Sequence, residues 1–194
     1  MASGELDLET LPAIPASAGA LIFDRKGRLL ILKPTYKSGW TIPGGVMEAD
    51  GETPWEACQR EVREECGLDV HTGRLVCVDF RRPRPARPGG MRFLFDCGVF
   101  ADAGLGAIVL QAEEISSFRL AKLPKALKLL RGPLRRRVSA VSGASGLLYL
   151  EDGRPVPGIG PRSGLWIRPA PFADRIRNVI GDVAFPFLSL MPGH

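Results

Sequence analysis

The 194-residue chain is long enough for one domain with a sizeable core and too short to divide comfortably into two. Hydrophobic residues make up 45% of it and charged residues 24%, with no low-complexity tract, a balance that excludes wholesale disorder. No stretch approaches the roughly 20 apolar residues needed to span a bilayer, and the formal charge of +5 gathers in two clusters, residues 81–87 and 131–137.

Such clusters suit an anionic partner. Neither is interleaved with the aromatic side chains that stack on bases, so nucleic acid is disfavoured as a partner. The first 11 residues are acidic where a signal peptide is basic and then apolar, and a cytoplasmic location is expected. Cys58, Cys66, Cys77 and Cys97 show no CxxC spacing and sit in apolar patterns, which makes them reduced core thiols. A homodimer stays open as an assembly.

In chain order, residues 18–23 and 29–33 read as two apolar strands joined by Asp24-Arg25-Lys26-Gly27-Arg28, a hairpin signal. Residues 40–42 are read as a further short strand running into Pro43-Gly44-Gly45, where the chain turns sharply or approaches a ligand. The helix that follows is the best-marked element: Thr53-Pro54-Trp55-Glu56 supplies an N-cap, a proline at the first helical position and a capping-box glutamate, and Gly67 supplies the stop. Residues 74–80 and 91–100 have strand-like content, separated by a loop rich in arginine, proline and glycine. A short strand is expected at 107–111, then helical segments at 125–130 and 134–141 broken at Gly132-Pro133. Beyond Gly143 the signal weakens, with one helix expected near 172–179 and an apolar end at 185–191. The expected organisation is a lead over 1–16, a domain over 17–142 and a C-terminal extension of unassigned role over 143–194.

On the marked helix, Trp55, Cys58, Val62 and Cys66 fall on one stripe that can face a core, while Glu61, Glu64 and Glu65 share another face. Like charges at these spacings destabilise an isolated helix by about 0.2–0.5 kcal/mol per pair. Arg60, four residues before Glu64, offsets part of that, but one guanidinium does not neutralise three acids. A divalent cation does. With only two histidines in the chain, His71 and His194, clustered carboxylates and a backbone carbonyl favour a hard cation, Mg²⁺ with Mn²⁺ as substitute.

The run from Gly45 through Glu52, Arg60-Glu61-Val62-Arg63-Glu64-Glu65 and Gly67-Leu68 resembles the signature of the Nudix hydrolase family, G-x5-E-x7-R-E-U-x-E-E-x-G-U with U apolar. Every constrained position from Glu52 to Leu68 is met; the departure is a loop one residue longer between Gly45 and Glu52. The resemblance covers about residues 18–141. It implies an α/β fold, an α/β/α sandwich around a mixed β-sheet. It implies Glu61, Glu64 and Glu65 as metal ligands together with the Gly44 carbonyl, Arg60 as the orienting arginine and Glu52 as the glutamate that opens the conserved spacing. Some members draw the proton acceptor from a loop outside the box, for which Glu113 and Glu114 qualify here.

The reaction so implied is magnesium-dependent cleavage of a diphosphate linkage in a small phosphorylated metabolite. Arg81, Arg82, Arg84 and Arg87, on a loop stiffened by Pro83, Pro85 and Pro88, are expected to grip the substrate's phosphates. Lys33 and Lys37 read as solvated loop lysines and Trp40 as a packing residue. Pro83 lies where ADP-ribose-type members of the family often carry a proline after the box, and this resemblance implies a nucleoside diphosphate derivative of the ADP-ribose or nucleotide-sugar type; a nucleoside triphosphate, a prenyl diphosphate, or a non-catalytic ligand-sensing role are the alternatives.

Overall fold

Asp24 closes the first hairpin. In the computed structural model, which describes residues 13–85 and 87–160, strands β1 (Ala16–Asp24) and β2 (Arg28–Pro34) meet at a turn in which the buried Asp24 carboxylate accepts from the Lys26 and Arg28 N–H groups at 3.0 and 2.7 Å and from Arg28 Nε at 2.6 Å. Helix α1 (Pro54–Cys66) is capped as its sequence predicts: Thr53 and Glu56 exchange the two capping-box hydrogen bonds, and Gly67 ends the helix in the left-handed region at φ 66°.

Strands β3 (Arg74–Arg81) and β4 (Gly90–Phe100) pair antiparallel. A short helix α2 (Asp102–Gly106), strand β5 (Ile115–Lys122), helices α3 (Leu123–Leu129) and α4 (Gly132–Ser142), and strands β6 (Leu148–Glu151) and β7 (Arg154–Pro155) complete the described chain. The seven strands form one mixed sheet in the order β5-β2-β1-β4-β3-β6-β7, with β1 parallel to β4 and β3 parallel to β6. Strand alternation divides the side chains: Ala18, Ala20, Ile22, Leu30 and Leu32 meet α1 on one face, while Leu21, Phe23, Leu29 and Ile31 meet α3 and α4 on the other. The result is the expected α/β/α sandwich.

Three expectations change. Residues 107–111 are not a strand. Their alternation is real, since Ile108 and Leu110 pack on the core and Val109 is exposed, but no strand flanks them; Val109 N–H donates only to the Cys66 carbonyl at 3.0 Å. The strand lies later, at β5, whose central residues 116–119 are exposed on a sheet edge and so carry no apolar alternation. Residues 40–42 make single bridges, Thr41 to Leu32 and Trp40 to Leu130, instead of a strand. The sheet also runs on past residue 142, because β6 pairs with β3. The helix expected at 172–179 and the apolar end at 185–191 lie outside the described residues.

Leu150, fully buried on β6, ties that late strand into the core shared with α3 and α4. Leu150→Ala is expected to lower global stability by about 2–5 kcal/mol in a single denaturation transition. A loss confined to a separate, earlier transition would show that β6 folds apart from the rest.

Candidate functional site

Helix α1 buries Ala57, Cys58, Val62 and Cys66 completely, and Trp55 meets Phe95 edge-on at 5.1 Å between ring centroids. That orientation sends Glu61 and Glu65 toward the loop around Gly44 and leaves Glu64 half exposed. Glu65 is only 3% exposed and survives there because the Gly44 N–H donates to its Oε2 at 2.8 Å. Gly45 has no side chain for a reason of space: a Cβ there would lie 2.1 Å from Glu61 Oε1.

Arg60 is the hub of this cluster. Its Nε donates to Glu52 Oε1 at 2.7 Å and its Nη2 to Glu52 Oε2 at 3.1 Å, while Nη1 donates to Glu61 at 3.0 Å and to Glu64 at 2.9 Å. Nη2 also reaches the Val46 carbonyl at 3.0 Å, so one guanidinium ties the helix to both ends of the loop before it. Glu52 Oε2 additionally accepts from the Glu48 N–H at 2.8 Å. The extra loop residue is therefore absorbed between Gly45 and Glu52 without disturbing the Glu52–Arg60 pair.

The hydrogen bond from Arg60 holds the Glu52 carboxyl below the usual carboxylate range, and Glu52 in turn keeps Arg60 more firmly protonated than an ordinary arginine. Burial pushes Glu61 up against the opposing pull of Arg60. Burial also pushes Glu65 up to about 7, with the charges of Glu61 and Glu114 adding to it and the Gly44 N–H and Lys37 working against it. Glu114, from the loop before β5, is thus the outside acid that acts on the helix carboxylates. The backbone carbonyls of both Glu113 and Glu114 accept from Thr35 Oγ1, at 2.7 and 3.1 Å.

The donor chemistry fits a hard cation. The carbonyls of Pro43 and Gly45 are taken by the N–H groups of Ala20 and Ala18 at 2.9 and 3.0 Å, which leaves the Gly44 carbonyl between them without a hydrogen-bond partner among the described residues. The same loop meets Glu65 through the Gly44 N–H and Glu61 at Gly45, so the donors gathered here are all oxygens. Among the described residues no three His, Cys, Asp or Glu side chains converge closely enough to enclose a metal. Arg60 Nη1 lies between Glu61 and Glu64, within hydrogen-bond reach of both, and keeps those two carboxylates engaged with itself.

The arginine loop lies elsewhere. Arg81 Nε and Arg84 Nη2 pair with Asp152 at 3.0 and 3.6 Å, Arg82 pairs with Glu151, and Arg87 exchanges backbone hydrogen bonds with Arg84 at 2.8 and 2.9 Å. The side chains of Arg81, Arg82 and Arg84 are tied to the β6–β7 turn, and none of the four arginines lines the cavity at the glycine loop. That cavity, of about 300 Å³, is bounded by Gly44 and Gly45 and by Tyr36, Lys37, Arg92 and Arg137. The sequence reading set Lys37 aside and did not single out Arg92 or Arg137. A signal was present in each case: Arg92 interrupts an apolar strand, and Arg137 falls near the Leu134, Val138, Val141 stripe of α4.

A domain model described as NUDIX domain matches residues 13–140. The chain is 37% identical over 67 residues to a MutT-like protein of Streptomyces ambofaciens, covering 34% of this chain and 43% of that protein. It is 35% identical over 60 residues to an RNA pyrophosphohydrolase of Marinomonas sp. (strain MWYL1), covering 31% and 37%. An 8-oxo-dGDP phosphatase of Danio rerio is 38% identical over 80 residues, covering 40% and 23%. The chain thus spans less than half the length of these curated relatives. Among solved structures, the MutT protein of Methanosarcina mazei Go1 matches with a TM-score of 0.51 at 26% identity, over 62% of this chain and 85% of that one. The MutT protein of Bacillus halodurans shares the fold with a TM-score of 0.57 at 23% identity, over 70% and 87%.

The raised proton affinity of Glu65 has a stability consequence. A carboxyl whose folded pKa is about 7 instead of 4.5 favours the folded state below pH 4.5, and that contribution is lost as the pH rises through 7. Metal-free Glu65→Gln is therefore expected to match the wild type near pH 4 and to exceed it at pH 8 by on the order of 3 kcal/mol, read from denaturant midpoints. Equal stabilities at pH 8 would mean that Glu65 carries its charge there at no cost.

Proposed function

The chain belongs to the NUDIX family, and from that premise we propose that it is a divalent-metal-dependent hydrolase that cuts a diphosphate linkage in a small nucleotide-type metabolite. The observation that carries this reading is the placement of the buried Glu65 and the partly buried Glu61 against the Gly44–Gly45 loop, whose Gly44 carbonyl has no hydrogen-bond partner among the described residues. Buried negative charge with oxygen donors and no sufficient cation of its own calls for a hard metal ion.

Glu61, Glu64, Glu65 and the Gly44 carbonyl would hold Mg²⁺, with Mn²⁺ as a substitute. When bound, Mg²⁺ supplies charge neutralisation on the phosphates and a water acidic enough to attack phosphorus. The protein's own residues set the geometry. Glu52 grips Arg60 through Nε and Nη2, which leaves Nη1 to position Glu61 and Glu64. The bare Gly45 lets Glu61 lie against the loop backbone. The proton leaving the attacking water passes to a carboxylate, for which Glu64, half exposed, and Glu114, facing the cluster from outside the helix, are the available groups.

Relatives named for RNA and for 8-oxo-dGDP support a substrate with phosphates on a nucleoside. The sequence points to an ADP-ribose or nucleotide-sugar substrate, whereas the cations in the cavity beside Gly44 favour a nucleoside triphosphate, and both classes are to be tested. No helix among the described residues is long and apolar enough to cross a membrane.

The test is a phosphate- and nucleotide-release screen with Mg²⁺ over ADP-ribose, nucleotide sugars, nucleoside triphosphates and prenyl diphosphates. Turnover of one class is expected, falling by about 10²-fold or more in Glu64→Gln and lost on chelation. An absence of metal-dependent turnover on every class would refute the hydrolase reading and favour a ligand-sensing role.

A further inference from the structure

The Gly44–Gly45 loop has two sides. One meets Glu61 and Glu65; the other forms a wall of the cavity that holds Arg92 and Arg137. No carboxylate lines that cavity among the described residues, whereas Lys37 also borders it. Positive charge is thus gathered on one side of the wall and negative charge on the other.

Arg137 is fixed from behind. Its side chain is 12% exposed, and Nε lies 2.9 Å from Oδ2 of the fully buried Asp79, off the hydrogen-bonding line. The other Asp79 oxygen accepts from the Gly153 N–H at 2.7 Å. Neither terminal nitrogen of Arg137 has a hydrogen-bond partner among the described residues. Arg92 stands opposite Asp79 in the β3–β4 register, and its nitrogens donate only to carbonyls, those of Met91 at 2.8 Å, Gly89 at 3.1 Å and Pro15 at 3.5 Å. A purely structural Asp79–Arg137 ion pair explains the Nε contact. It does not explain a second guanidinium without a carboxylate on the same cavity, nor the uncommitted Nη pair.

We propose that Arg92 and Arg137 form a phosphate subsite across the glycine loop from the glutamates, so that the preferred substrate carries a third phosphate beyond the two joined by the bond that is cut. This rests on the reading of the glutamates as the cutting site. The planar fork of a guanidinium matches a phosphate bidentately, and one buried beforehand has less solvation to lose on binding. The cavity, at about 300 Å³, has room for such a group.

The experiment is calorimetric binding of tripolyphosphate and of pyrophosphate to the metal-free protein, which separates binding from turnover. The wild type is expected to bind tripolyphosphate about tenfold more tightly than pyrophosphate. Arg92→Gln, and separately Arg137→Lys, which keeps the charge facing Asp79 but removes the fork, are expected to erase that preference while the melting curve shows a folded protein. Equal affinity of the wild type for both probes, no binding of either, or an equal loss on both probes in the variants would overturn the subsite. If the preference is found but no substrate is turned over with Mg²⁺, the hydrolase reading fails and the subsite stands; turnover without the preference refutes the subsite alone.

Discussion

The loop at Pro43-Gly44-Gly45 lies so close to β1 that a side chain at Gly44 would have no room: a Cβ there would come within 2.2 Å of the Ala18 carbonyl oxygen, on a backbone with φ of +141°. Two hydrogen bonds hold the approach, Ala20 N–H to Pro43 and Ala18 N–H to Gly45. Because these engage the carbonyls on either side, the one at Gly44 is left free and the Gly44 N–H is turned toward Glu65. The burial of Glu65, the stance of Glu61 against Gly45 and the wall of the cation-lined cavity all follow from this single contact between loop and strand.

Charge is arranged around that contact with little waste. Arg60 meets three glutamates at once, yet it leaves α1 with more buried acid than base, and the raised proton affinities of Glu61 and Glu65 express that imbalance. On the proposed reading, a metal ion would offset the acids and the substrate's phosphates would offset the cations behind the loop. The raised proton affinities mark a cost in stability, which is the ordinary relation between a functional site and the fold that carries it.

The β6–β7 turn has a role that its weak sequence signal conceals. Asp152, at φ of 50°, pairs with Arg81 and Arg84, and its carbonyl accepts from Arg136 at 2.6 and 3.0 Å. The next residue, Gly153, donates to Asp79, the anchor of Arg137. A turn far along the chain thereby fastens the arginine loop to the sheet and braces α4 beside the cavity.

What the sequence determined by itself was everything written in local code. The capping box at Thr53 and Glu56, the stop at Gly67, the alternating strands and the one-sided glutamates of α1 depend on neighbours within a few residues, and so they could be read directly. The Arg60–Glu64 contact was legible from its four-residue spacing, whereas the Glu52–Arg60 pair, eight residues apart, was not read from the sequence. Tertiary structure alone decided the rest. β5 is an edge strand whose exposed side chains carry no apolar period, and β6 is a four-residue strand that exists through its pairing with β3. Arginine looks alike in every context of a sequence: Arg81, Arg82 and Arg84 are matched with Asp152 and Glu151, while Arg92 and Arg137, on separate elements, are brought to one cavity. Which guanidinium is neutralised depends on carboxylates about 70 residues away along the chain, a long-range pairing that no local pattern encodes.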